Sequence, residues 1–165
     1  MTLAAPETGF LPLHLALLLA LLLAAGACDT AWRRVPNAIP LAVAALGVIA
    51  QVFAAGPLAA LVGLSTSAML LVLLAIPWSL RIIGGGDVKL AAACAAWLGF
   101  GRLPAFFLAT SLAGGVAALV ALMRAFSAVP STGLPGWREG AIGIRVPYAV
   151  AIGAGTIVAL YWRLP

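Results

Sequence analysis

From Phe10 to Ala27 the chain runs eighteen residues without a charged side chain, and about Ala38–Ala54, Leu58–Leu80, Leu103–Met123 and Val146–Trp162 do the same. A sixth run, about Val88–Phe100, is shorter, rich in alanine and carries one charge, Lys89. In hydrocarbon a backbone has no water to bond, so an apolar run of about 20 residues must close its hydrogen bonds within itself as a helix. Six such runs with short connections predict an all-α polytopic membrane protein of about six transmembrane helices, residues 1–165 forming a single domain. Gly56-Pro57, Gly101 to Pro104 and Pro130 to Gly136 read as the turns between them. A soluble fold is excluded by charge alone, because 8% charged residues cannot cover a surface that normally uses about 25%.

The bases report orientation. Arg33, Arg34, Arg81, Lys89, Arg124, Arg138 and Arg145 fall in or beside the first, third and fifth connections, against Arg102 and Arg163 on the other side. The positive-inside rule then puts those three connections in the cytoplasm and both termini outside, in the periplasm. The net charge of +5 comes from bases scattered singly between apolar runs; it indicates contacts with anionic lipid and excludes nucleic acid. The first run is preceded by no Lys or Arg, so it reads as a retained span and not a cleaved signal sequence. Cys28, Cys94 and the isolated His14 lack metal-ligand spacing and read as packing residues, so no metal or other cofactor is expected.

Acids are the scarce species: Glu7, Asp29, Asp87 and Glu139 complete the set. Asp29 closes the first run and Asp87 opens the fourth, which brings both aspartates to the cytoplasmic border. Ionisable groups at membrane depth are costly and tend to be functional. Two adjacent carboxyls share a proton, so the ionised one can activate a water while the protonated one supports a developing oxyanion. Asp29 and Asp87 are therefore the candidate catalytic pair of an aspartic endopeptidase.

Each aspartate also has a plainer reading. Asp87 follows Gly84-Gly85-Gly86, glycines that permit a tight turn or close approach, and reads locally as an N-cap with Lys89 snorkelling from the membrane. Asp29 reads as a loop residue paired with Arg33 or Arg34, beside an interfacial Trp32; Pro36 and Asn37 read as turn residues. Ser111/Gly115 and Ala149/Gly153 form small-xxx-small pairs expected to pack helices, and Tyr148, after Pro147, reads as an interface anchor.

Gly84-Gly85-Gly86-Asp87-Val88-Lys89-Leu90 is similar to the GxGD-x-K segment of the type IV prepilin peptidases. Asp29 ahead of Arg33-Arg34-Val35-Pro36-Asn37 resembles their other aspartate motif, and Val146-Pro147-Tyr148-Ala149 resembles their C-terminal PY segment. The three blocks cover most of the chain in the family's order. The resemblance implies an intramembrane aspartic peptidase that removes the basic leader of type IV or Flp prepilins in the bacterial inner membrane, with its active site facing the cytoplasm. It carries Asp29 and Asp87 over as catalytic residues, Gly84 and Gly86 as motif glycines beside Gly85, and Arg33, Arg34, Pro36, Asn37, Lys89, Pro147 and Tyr148 as site-supporting or substrate-contacting positions. Prepilin, anionic lipid and pilus assembly machinery are the implied partners. About ten residues precede the first run, so the N-terminal methyltransferase region of larger members is not expected, as in the short Tad/Cpa-type forms. A preflagellin or other class III signal peptidase would use the same chemistry. A small transporter or proton relay would require further polar groups along a mid-membrane path, and a purely structural subunit would tolerate loss of both aspartates.

Overall fold

The computed structural model describes residues 10–32, 34–127 and 148–161. Among them are six α-helices: α1 (Phe10–Trp32), α2 (Ala38–Ala55), α3 (Pro57–Ser79), α4 (Gly85–Leu98), α5 (Leu103–Ser127) and α6 (Tyr148–Tyr161). A 3-10 turn at Phe100–Arg102 links α4 to α5. No strand occurs among the described residues. Pro57, Pro104 and Pro40 lie in first turns, where a missing N–H costs no helix bond.

The expectation of six apolar helices holds, with a difference in reach. Leu13–Trp32, Ala38–Ala55, Pro57–Ser79 and Phe100–Arg124 are each long and apolar enough to cross a membrane. Helix α4 has 14 residues, about 21 Å at 1.5 Å per residue, short of a hydrocarbon core of about 30 Å; α6 is described over 14 residues. The burial of α4 explains how it tolerates its length. Every residue from Leu90 to Leu98 is buried, so α4 meets protein and not lipid, and it packs against α2, α3 and α6. Helix α6 joins α4 to α1 and α5. The outward faces of α3 and α5 carry Leu61, Leu64, Val72, Leu112, Val116 and Leu119 exposed, the surface a lipid environment would cover.

Close packing at α4 depends on small partners. A Cβ on Gly63 of α3 would collide with the carbonyl of Ala96, and one on Gly47 of α2 would come within 2.6 Å of the Trp97 ring. The Trp97 indole N–H donates to the Val43 carbonyl at 2.8 Å, and the Gln51 side-chain amide donates to the Trp97 carbonyl at 2.8 Å. His14 is buried and stacks on Trp97, with ring centroids 5.8 Å apart. These contacts fix the C-terminal end of α4 in height and rotation.

Several local expectations are corrected. Asp29 is not a loop residue: α1 continues through Trp32, so Asp29 lies four residues beyond the buried Ala25, on the face that Leu18, Leu22 and Ala25 turn inward. Pro77 falls in the last turn of α3, which runs on to Ser79. Ser111 and Gly115 face outward; Thr110 and Gly114 meet α6 instead, with Thr110 against Gly155 and Gly114 against Ala151 and Tyr148. Gly153 does pack, against Leu22.

Candidate active site

Helix α1 delivers Asp29 at its C-terminal turn, and α4 delivers Asp87 in its first turn. The two carboxyls come close enough for the charge of one to act on the other. Asp87 is partly buried just ahead of the apolar stretch of α4, and burial pushes its carboxyl from the ordinary 3.8 up to about 6, with the Asp29 charge pushing the same way.

Asp29 has a different partner. The backbone N–H of Ala149, in the first turn of α6, donates to its Oδ2 at 3.2 Å. First-turn N–H groups lack a carbonyl within their own helix, so Asp29 supplies an acceptor to α6 while the positive end of the α6 dipole faces a carboxylate. This joins the third sequence block to the first through a main-chain group.

Of the two uses expected of the glycine triplet, a tight turn and close approach, the structure shows the second. Gly84 has φ −68° and ψ 138°, and the residue with left-handed backbone in this connection is Arg81, at φ 60°. The triplet supplies space. A Cβ on Gly84 would stand 2.9 Å from Asp87 Oδ2, one on Gly85 would stand 2.9 Å from the Trp78 indole nitrogen, and one on Gly86 would stand 3.4 Å from Val35 Cβ. Gly84, not Asp87, is the N-cap of α4, which corrects the capping reading of the aspartate.

The supporting positions separate into those brought together and those placed elsewhere. Lys89 Nζ donates to Asn37 Oδ1 at 2.9 Å, tying the glycine-aspartate block to the block that follows Asp29. Pro36 closes the turn into α2 by accepting from the Ile39 N–H at 3.0 Å. Arg34 is exposed, and Tyr148 is half exposed with its ring beside Gly114; neither is described in contact with the carboxyls. Arg33 and Pro147 lie outside the described residues. Ala149, Val35 and Trp78 were missed as site residues by sequence reasoning. Val35 and Ala149 both lie inside the motif blocks, but Ala149 acts through its backbone, which no side-chain pattern reports.

Among the described residues no three His, Cys, Asp or Glu side chains gather into a group that could hold a metal ion. What the arrangement can do is proton chemistry between two carboxyls at the ends of two helices.

Comparison with known proteins adds the family. The profile of the type IV leader peptidase family matches residues 16–119, a segment that contains α2, α3, α4 and both aspartates. Searches of curated proteins and of solved structures gave no match.

Proposed function

This chain belongs to the type IV leader peptidase family, and from that premise we propose that Asp29 and Asp87 are its catalytic pair. The observation that carries the assignment is that Asp29, in the last turn of α1, lies near enough to Asp87, in the first turn of α4, for its charge to add to burial in raising the Asp87 carboxyl. The family match gives a peptidase; the aspartic mechanism is the reading these two residues support best.

In this mechanism Asp29 is the base. The Ala149 N–H holds one of its oxygens and leaves the other to take a proton from a water. The water oxygen bonds to the carbonyl carbon of the scissile peptide, and Asp87 passes its proton to the carbonyl oxygen. The diol then collapses: Asp87 takes the proton of one hydroxyl, the C–N bond breaks and Asp29 gives its proton to the leaving nitrogen, which returns the dyad to its starting state. Burial of Asp87 suits the acid role, because it retains a proton at a pH where an exposed aspartate would have lost it.

The substrate we assign is the leader of a type IV or Flp prepilin, cut where it leaves the cytoplasmic face of the inner membrane. Residues 1–165 act as one peptidase domain, with both termini outside and anionic lipid around the basic connections. Pilus assembly is the process served.

The test is cleavage of a co-expressed leader-bearing prepilin by membranes holding the wild type, Asp29→Asn or Asp87→Asn. Each variant is expected to lose cleavage by about 10³-fold or more while remaining membrane-inserted. Cleavage at the wild-type rate by either one overturns the dyad.

A further inference from the structure

Asn37 stands at the N-cap of α2, the position where an asparagine side chain ordinarily bonds its own helix's first N–H groups. Here it makes no such bond; its Oδ1 accepts from Lys89 Nζ, 52 residues away in sequence. Lys89 lies two positions after Asp87, and residues two apart on a helix do not face each other, so Lys89 points across to α2 and away from the carboxyl. Both side chains are exposed, and water could satisfy either without the other. Asn37 forgoes its usual capping bond in favour of a cross-helix one. The same junction is closed one helical step away, where Gly86 receives Val35 against its backbone. The segment that follows α1, in whose last turn Asp29 stands, is thus held to the N-terminal end of α4 at two points, one apolar and one polar.

We propose that the Lys89–Asn37 hydrogen bond is a positioning clamp that sets the distance between the Asp29 and Asp87 carboxyls. The proposal rests on the dyad reading above. Lys89 and Asn37 act through the aspartates and need not touch substrate, so the rate of the chemical step carries their effect.

Kinetics of Asn37→Ala, Lys89→Met, Lys89→Arg and the Asn37→Ala/Lys89→Met double variant test it, using the full-length chain in lipid and a leader-bearing prepilin. Removing a bond to a charged group at a site where small displacements matter is expected to lower kcat about tenfold in each single variant, with KM little changed. The double variant is expected to be no worse than the poorer single one, and Lys89→Arg, which keeps a donor, to recover most of the rate. In Asn37→Ala the Asp87 carboxyl, followed by its infrared C=O band, is expected to titrate at lower pH because the Asp29 charge lies farther away. Wild-type kinetics in Asn37→Ala together with a raised KM in Lys89→Met would overturn the clamp and leave Lys89 as a substrate contact. Multiplying effects in the double variant, or an unmoved Asp87 titration, would overturn it too. Failure of the dyad itself shows separately, as cleavage by Asp87→Asn.

Discussion

The two ends of α4 are built on opposite principles. At the C-terminal end Trp97, Gly47 and Gly63 lock the helix into α2 and α3, with the indole N–H and the Trp97 carbonyl both bonded to α2. At the N-terminal end three glycines admit neighbours close to the backbone, Asp87 is only partly buried, and an exposed Lys89–Asn37 bond makes the cross-link. The difference shows how one short helix can hold a group in an unfavourable setting. A carboxyl whose ionisation is penalised by burial costs stability at neutral pH, and the packed end supplies the rigidity that keeps it in place.

The comparison can be broken most forcefully at the packed end. Trp97→Ala removes a buried indole and its bond to Val43, a change that typically costs about 3–5 kcal/mol. The expected result is a markedly lower Tm in detergent. Asp87→Asn should move stability the other way. The folded chain holds the Asp87 proton more tightly than the unfolded one, so its contribution to stability falls as pH rises from about 4 to about 6 and stays low above; asparagine removes that loss. A Tm that fell in both variants would erase the distinction between the two ends.

A second prediction concerns pH and sharpens the contrast. With Asp87 as the acid, cleavage should decline above its value of about 6, by roughly tenfold per pH unit in the limiting case. That limb should be unchanged in whatever fraction of Trp97→Ala remains folded, because the packed end sets stability and not titration. The smallest effect is expected at Gly86. Its Cβ position lies 3.4 Å from a Val35 side chain that can shift slightly, so Gly86→Ala should cost under about 1 kcal/mol and lower cleavage only mildly.

Much of this arrangement is legible in the sequence. The helices follow from uncharged runs whose ends the structure moves by a few residues. The meeting of Asp29 and Asp87 at one end of the bundle follows from alternating helix direction. What the sequence does not reveal is facing. In α1 and α4 nearly every residue is Leu, Ala or another apolar type, so no polar stripe marks which side is inward; Asp29 itself is the marker in α1. In α5 the pattern offered Ser111 and Gly115 as the packing pair, while Thr110 and Gly114, one position earlier, meet α6. Partner choice is equally hidden. Asn37 in front of a helix reads as a cap, and only the approach of α4 shows that Lys89 takes its oxygen. The Ala149 N–H on Asp29 has no side-chain signature at all.

The claim on which the rest depends is that Asp29 and Asp87 form a coupled pair. It is tested most directly by titrating the Asp87 carboxyl, through its infrared band in lipid, in the wild type and in Asp29→Asn. The account predicts a wild-type midpoint near 6 and a lower one once the Asp29 charge is gone. An Asp87 midpoint unmoved by Asp29→Asn would contradict it.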